Sequence, residues 1–167
     1  MVERGAGNVT IGEVARRAGV QASSVQRRWG SAESVMLDAM LSRSQDELPV
    51  PDTGTARGDL IAFARLVAAY LATPLGAALS RTMAVAQDNP EIADGRLAFW
   101  RSRYDLARAI VDRAIERNEL VPGTDTQLVL EMVIAPLHFR ALHTRQPIDN
   151  RLIELVVDTV LLGSGAS

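Results

Sequence analysis

His138 and His143 are the only two imidazoles among the 167 residues, and they stand five apart. On a helix that spacing does not bring two side chains to one face, so metal ligation by this pair is not expected. The chain has no cysteine, which removes disulfides, Cys-ligated zinc and thiol catalysis. It shows no nucleophile at motif spacing from a base, no glycine-rich phosphate loop and no paired carboxylates in an apolar setting. Neither an enzyme nor a bound cofactor is therefore expected. The chemistry on offer is recognition. Phe63, Tyr70, Met83, Trp100, Tyr104 and His138 join apolar bodies to a few polar tips, the usual composition of a small-molecule pocket. Trp100 and Tyr104 lie one turn apart and share a helix face. A modest apolar or aromatic effector is expected. Taken singly, each of these side chains fits a plain core better; the cluster carries the reading.

A second constellation is a corner. Ala15 is small enough for two helices to cross at it, Gly19 can take the positive φ of a tight turn, and Val25 can plug the inner face of a second helix. Val14, Ala18 and Val20 are expected to add apolar contacts. On these residues alone, the segment from Ile11 to Gly30 fits either a DNA-binding helix-turn-helix or a helical hairpin that only packs.

Punctuation along the chain supplies the elements that would hold both constellations. Thr10 and Glu13 form a capping-box pattern ahead of a helix over 11–18, which Gly19 stops. A second short helix is expected over 22–28 and ends at Gly30. Ser31 caps a third, to about 46. Pro49, Pro51, Asp52, Gly54 and Gly58 mark a linker. The helix over 59–72 is apolar on nearly all sides and should be central. Pro74 opens a helix to about 87, and Asn89-Pro90-Glu91 opens a long one to about 118. After the Pro122-Gly123 turn, Thr124 and Gln127 suggest another capping box, with a helix to about 144 kinked at Pro136. Pro147 and Asp149 open the last helix, ending near Gly163. The fold class is thus all-α. The expected domains are a helix-turn-helix head over 1–47, a linker over 48–58, a ligand-binding and dimerisation body over 59–163, and a disordered tail over 164–167.

Charge divides along the same boundary. All 18 basic residues are Arg, and the net charge is −2. Residues 1–45 nevertheless carry six Arg against four acids, and the rest carries twelve against sixteen. A slightly basic head on an acidic body suits a nucleic-acid partner at the head. No apolar run reaches membrane-spanning length and no secretory signal opens the chain, so a cytoplasmic location and no membrane partner are expected.

The run Val9-Thr10-Ile11-Gly12-Glu13-Val14-Ala15-Arg16-Arg17-Ala18-Gly19-Val20 resembles the first motif helix and turn of the TetR family of regulators. Val25-Gln26-Arg27-Arg28-Trp29-Gly30-Ser31-Ala32-Glu33-Ser34-Val35 is similar to its recognition helix and the start of the next. Asn118 to Pro122, Ala135-Pro136-Leu137 and Pro147-Ile148-Asp149 resemble C-terminal domains of the family, so the likeness spans nearly the whole chain. It departs from the family pattern at Gln21 (usually Ser), Gln26 (usually Tyr), Trp29 (usually Phe) and Ala32 (usually Lys). Nine residues, broken by Gly5 and Gly7, stand where the family has a full helix before the motif. Either the native chain begins upstream of Met1 or the head is degenerate.

The resemblance implies a homodimer that binds double-stranded operator DNA, a repressor released by a small-molecule effector. Its DNA contacts would be Thr10, Ala22, Ser23, Ser24, Gln26, Arg27 and Arg28, with Gln26 suited to adenine and the Arg pair to phosphate. The Arg pair also fits a solvated face. Two apolar stripes, Val129, Val133, Leu137 and Ala141, then Leu152, Leu155, Val156, Thr159 and Val160, suit a four-helix dimer interface; the alternative is burial within the monomer. A dimeric ligand-binding protein of the same fold that has lost tight DNA binding is the other functional reading.

Overall fold

Thr10 is extended (φ −108, ψ 155), and its hydroxyl accepts the Glu13 amide at 3.2 Å. That cap starts α1 (Ile11–Ala18). The structure, a computed structural model, describes residues 10–32, 34, 35, 38, 49–85 and 90–164, with the backbone alone for 82–85 and 90–96. Among these residues all regular structure is helical. Gly19 closes α1 in the left-handed region (φ 68, ψ 27), with its amide on the Ala15 carbonyl. Only a residue without Cβ adopts that conformation at no steric cost. The chain then turns into α2 (Ala22–Trp29), one residue longer than expected, and Gly30 ends it at φ 71. Ala15 and Val25 are buried at the crossing, as the corner requires. Ala18 and Val20 do not join them; both side chains are exposed. The Ser31 hydroxyl accepts the Ser34 amide at 3.1 Å, and Ala32, Ser34, Val35 and Asp38 are helical. The rest of the helix expected over 31–46 lies outside the described residues, as do Leu48 and the tail residues 165–167.

The body is built around α3 (Ala56–Ala72). It begins three residues earlier than expected, because Thr55 caps it by accepting the Gly58 amide at 3.0 Å. Gly58, read as linker, is in its first turn. Ala56, Leu60, Ile61, Phe63, Ala64, Val67 and Leu71 are buried on several sides of α3. Accordingly α3 touches four other helices: α4 (Pro74–Val85), α5 (Pro90–Glu116), α6 (Thr126–Phe139) and α7 (Asn150–Gly163). Leu60, Ile110, Leu130, Val133, Leu137 and Val157 are almost wholly removed from solvent. Each such side chain stabilises the fold by about 1.5–3 kcal/mol relative to exposure. The chain turns through 88° between α3 and α4. No single helix among the described residues is long and apolar enough to cross a membrane.

Two ends differ from expectation. The cap of α6 is Asp125, which accepts the Leu128 amide at 3.0 Å, while Thr124 donates to the Val121 carbonyl at 2.7 Å. The cap thus falls one residue later than expected and is a single N-cap hydrogen bond rather than a capping box, an acid being at least as good a cap as Thr. The helix expected to run to 144 stops as α-helix at Phe139 and continues as a five-residue π-helical turn, Arg140–Thr144. Pro136 has no amide to give to the α-helical ladder, and the hydrogen-bond register changes just after it. The last helix opens and closes as expected: Asp149 accepts the Leu152 amide at 2.9 Å and α7 ends at Gly163.

Candidate functional site

Between α3, α4, α5 and α6 the body holds a cavity of about 280 Å³. Five of the six residues proposed for a pocket, Phe63, Tyr70, Trp100, Tyr104 and His138, line it together. The side chain of the sixth, Met83, lies outside the described residues. The Trp100 ring is the centre of an aromatic array. Its centroid is 5.8 Å from Tyr104 in a stacked arrangement, and 5.3 and 5.6 Å from Phe99 and His138, both edge-on. Aromatic pairs prefer such offset and edge-to-face geometries.

The polar groups of the wall are few, and each has a distinct character. Burial pushes the His138 imidazole below its ordinary pKa of 6.5, a hydrogen bond with the Ile134 carbonyl partly opposing it. That contact, 3.1 Å from Nδ1, fixes the neutral ring with Nδ1–H as donor and Nε2 as acceptor. The Tyr104 phenol is pushed up to about 12, first by burial and then by the Glu131 carboxylate, to which it hydrogen-bonds. Tyr70, Ser80 and Arg103 are the other polar residues of the lining. Arg103 is 8% exposed, and burial lowers its pKa, with Tyr70 acting in the opposite sense. Sequence reasoning missed it because its charge disqualified it from an apolar list. The signal was available: Arg103 follows Trp100 by three residues, so the two share a face of α5.

At the head, Thr10, Ala22, Ser23, Ser24, Gln26, Arg27 and Arg28 are all exposed. Their chemistry is not equally available. The Thr10 hydroxyl serves the α1 cap. The Gln26 amide donates to the Gly30 carbonyl at the end of its own helix, and would have to let go to read a base. Arg28 lies over the Trp29 ring, 4.5 Å from its centroid, and the Trp29 indole donates to Asp38 at 3.0 Å. On α1, Arg16 and Arg17 face Glu13 at 3.6 and 2.9 Å.

A third feature, absent from the sequence reading, joins the segment before α3 to the end of α5. Asp59 is wholly buried. Its Oδ1 accepts the amide and hydroxyl of Thr53, the latter at 2.8 Å. Its Oδ2 faces Arg117 at 3.4 Å and Arg113 at 3.6 Å. Burial alone would raise this carboxyl, but the Thr53 hydrogen bonds and the two cations reverse that and hold it below the ordinary carboxylate value. Arg113 also donates to the Pro51 carbonyl, and Glu119 binds both Arg117 and the Ala56 amide. Charged residues scattered over sixty positions carry no local pattern that would reveal such a clamp.

The stripes expected at a dimer interface need correction. Val129, Val133, Leu137 and Val160 are buried inside the subunit. Ala141, Leu152 and Val156 are half-buried, and only Leu155 and Thr159 stand exposed. Both helices are apolar on more than one side, and Val129, Val133, Leu137 and Val160 lie on the inner one. The outward apolar side chains are Leu128, Met132 and Phe139 on α6, and Leu155 and Leu162 on α7.

Comparison with known proteins bears on both halves. Residues 50–160 match the family described as tetracyclin repressor-like, C-terminal domain. The chain is 36% identical over 163 residues to the HTH-type transcriptional regulator AqdR of Rhodococcus erythropolis, covering 98% of this chain and 79% of that one. It is 26% identical to the uncharacterized HTH-type transcriptional regulator YdeS of Bacillus subtilis (strain 168), over 100% of this chain and 85% of that one. Among solved structures, the TetR family transcription regulator SCO0332 superposes with a TM-score of 0.83 at 27% identity, covering 96% and 89% of the two chains. The fatty acid degradation regulator FadR from Bacillus halodurans shares the fold, with a TM-score of 0.66 at 17% identity over 96% and 91%.

Proposed function

The chain belongs to the TetR family of transcriptional regulators, and from that premise we propose that it is a homodimeric repressor released from its operator when a small apolar or aromatic molecule fills the cavity. The observation that carries this reading is the sharing of α5. Trp100, Arg103 and Tyr104 line the cavity from it. Ten residues further along the same helix, Arg113 holds the Pro51 carbonyl. Ten residues of helix span about 15 Å. A rigid helix pushed at the cavity thus displaces the segment that leads from the head. Two heads reading half-sites a helical turn or so apart tolerate little change in spacing, so a small displacement is enough to weaken operator binding.

The second reading, a ligand-binding protein of this fold without tight DNA binding, is favoured by the head itself. The Gln26 amide is engaged within its own helix and Arg28 lies on Trp29. A gel shift of the wild-type protein on the DNA flanking its gene separates the two. The repressor reading expects a specific complex whose affinity falls steeply with salt, and a salt slope flattened by about one unit in Arg27→Ala, since one phosphate contact is lost. No specific complex at micromolar protein would leave the second reading standing.

A further inference from the structure

His138 brings to the cavity a hydrogen-bond acceptor that the subunit leaves unused. A carbonyl can only accept, so the 3.1 Å contact with Ile134 puts the ring proton on Nδ1 and leaves the lone pair on Nε2. Nδ1 is thereby turned back onto the backbone of α6, and Nε2 lies across the ring from it. Among the described residues Nε2 has no hydrogen-bond partner, and packing does not seal it. His138 is part of the cavity lining. We infer that the effector is an uncharged hydroxylated aromatic, a phenol of one or two rings whose hydroxyl donates to Nε2 of His138 while its ring system lies against Trp100. This deepens the reading of the cavity as an effector site and rests on it.

Four observations favour that class. Burial keeps the imidazole neutral, whereas a protonated ring would carry two donors and no acceptor. His138 meets the Trp100 ring edge-on at 5.6 Å, and Trp100 stacks on Tyr104 at 5.8 Å, so the acceptor adjoins an aromatic wall on which a second ring system can lie. The indole N–H of Trp100 and the hydroxyl of Ser80, both in the lining, also have no hydrogen-bond partner among the described residues. A hydroxyl both donates and accepts, so it can serve one of these donors as well as Nε2. The volume, about 280 Å³, is at the low end for ligand pockets, which restricts the effector to a small ring system.

Calorimetry with 2-naphthol and its methyl ether, 2-methoxynaphthalene, tests the inference, since the ether keeps the rings and the oxygen but has no proton to donate. Covering an acceptor without pairing it weakens binding by about 5- to 100-fold, so the wild-type protein is expected to prefer the naphthol by that factor. In His138→Phe, which keeps an aromatic ring but has no acceptor, the preference should shrink to within about threefold, with the ether's affinity little changed. His138→Leu makes the same test should the phenyl ring not be accommodated. Equal affinity for the two compounds in the wild-type protein would overturn the hydroxyl donor while leaving the cavity as an effector site. So would an undiminished preference in the variant without the imidazole. If neither compound bound, the hydroxyl and the cavity reading would fall together.

Discussion

Burial and a single carbonyl compete for the proton on His138. Burial wins, and its folded-state pKa lies below the ordinary 6.5. As pH falls through 6.5 the unfolded chain takes up a proton that the folded chain refuses, so the unfolded state gains ground. Stability should therefore be flat in this group above about pH 7 and fall as pH drops from 6.5 toward the lowered folded-state value. Urea midpoints at pH 7.5 and 5.5 check it: His138→Gln should lose less stability between the two than wild type. Equal losses would mean that the imidazole is not what titrates. At this scale the sequence was informative where spacing is local. Trp100 and Tyr104 are one turn apart, and their stacking follows from that. It was silent where contact depends on distant segments. Nothing near Asp59 announces that Arg113 and Arg117 will reach it, and nothing near Gln26 announces that its amide will turn back on Gly30.

Helix ends were the most legible elements, because capping is a matter of a few adjacent residues. Thr10, Gly19, Gly30, Pro74 and Asp149 each act where their chemistry predicts. The π-helical turn after Pro136 and the face on which α6 is buried were not legible, since both depend on what packs against the helix. The α3–α4 corner is the sharpest instance of a local device serving a tertiary purpose. Thr73 donates to the Tyr70 carbonyl at 2.7 Å and accepts the Gly76 amide at 2.9 Å. A Cβ at Gly76 would stand 2.0 Å from the Tyr70 carbonyl oxygen, and that oxygen belongs to the backbone of a packed helix. In an unconstrained helix, Gly→Ala stabilises by about 0.5–1 kcal/mol. Here Gly76→Ala should instead destabilise by about 2 kcal/mol, because the corner must open to admit the methyl. Thermal or urea unfolding reports the sign directly, and a stabilised variant would show that the corner is not held as described. Because Tyr70 and Leu79 flank this corner and line the cavity, the same variant should also weaken binding of aromatic probes.

In the proposed repressor, operator binding belongs to the pair of heads rather than to one chain. The outward residues Leu128, Met132 and Phe139 repeat at intervals that keep to one face of α6, and Leu155 and Leu162 do the same on α7. Exposed apolar side chains at such spacing on two adjacent helices are suited to a symmetric four-helix contact with a second copy. The core stripe beneath them, Val133, Leu137 and Val157, is already filled, so an outward substitution should disturb association without unfolding the subunit. Leu155→Arg places a charge against its own symmetry mate or its neighbours, where desolvation and repulsion oppose contact. Light scattering should find the wild-type protein at twice the mass of one chain and Leu155→Arg at the single mass. Two linked half-site contacts exceed one by a factor of about 100 or more, so the variant should lose operator affinity by at least that factor. Binding of an aromatic probe in the cavity, which lies among α3, α4, α5 and α6 of one subunit, should persist. A single-chain mass for the wild-type protein would sink the paired arrangement. Retained operator affinity in a monomeric Leu155→Arg would sink the claim that pairing is what sets the spacing of the heads.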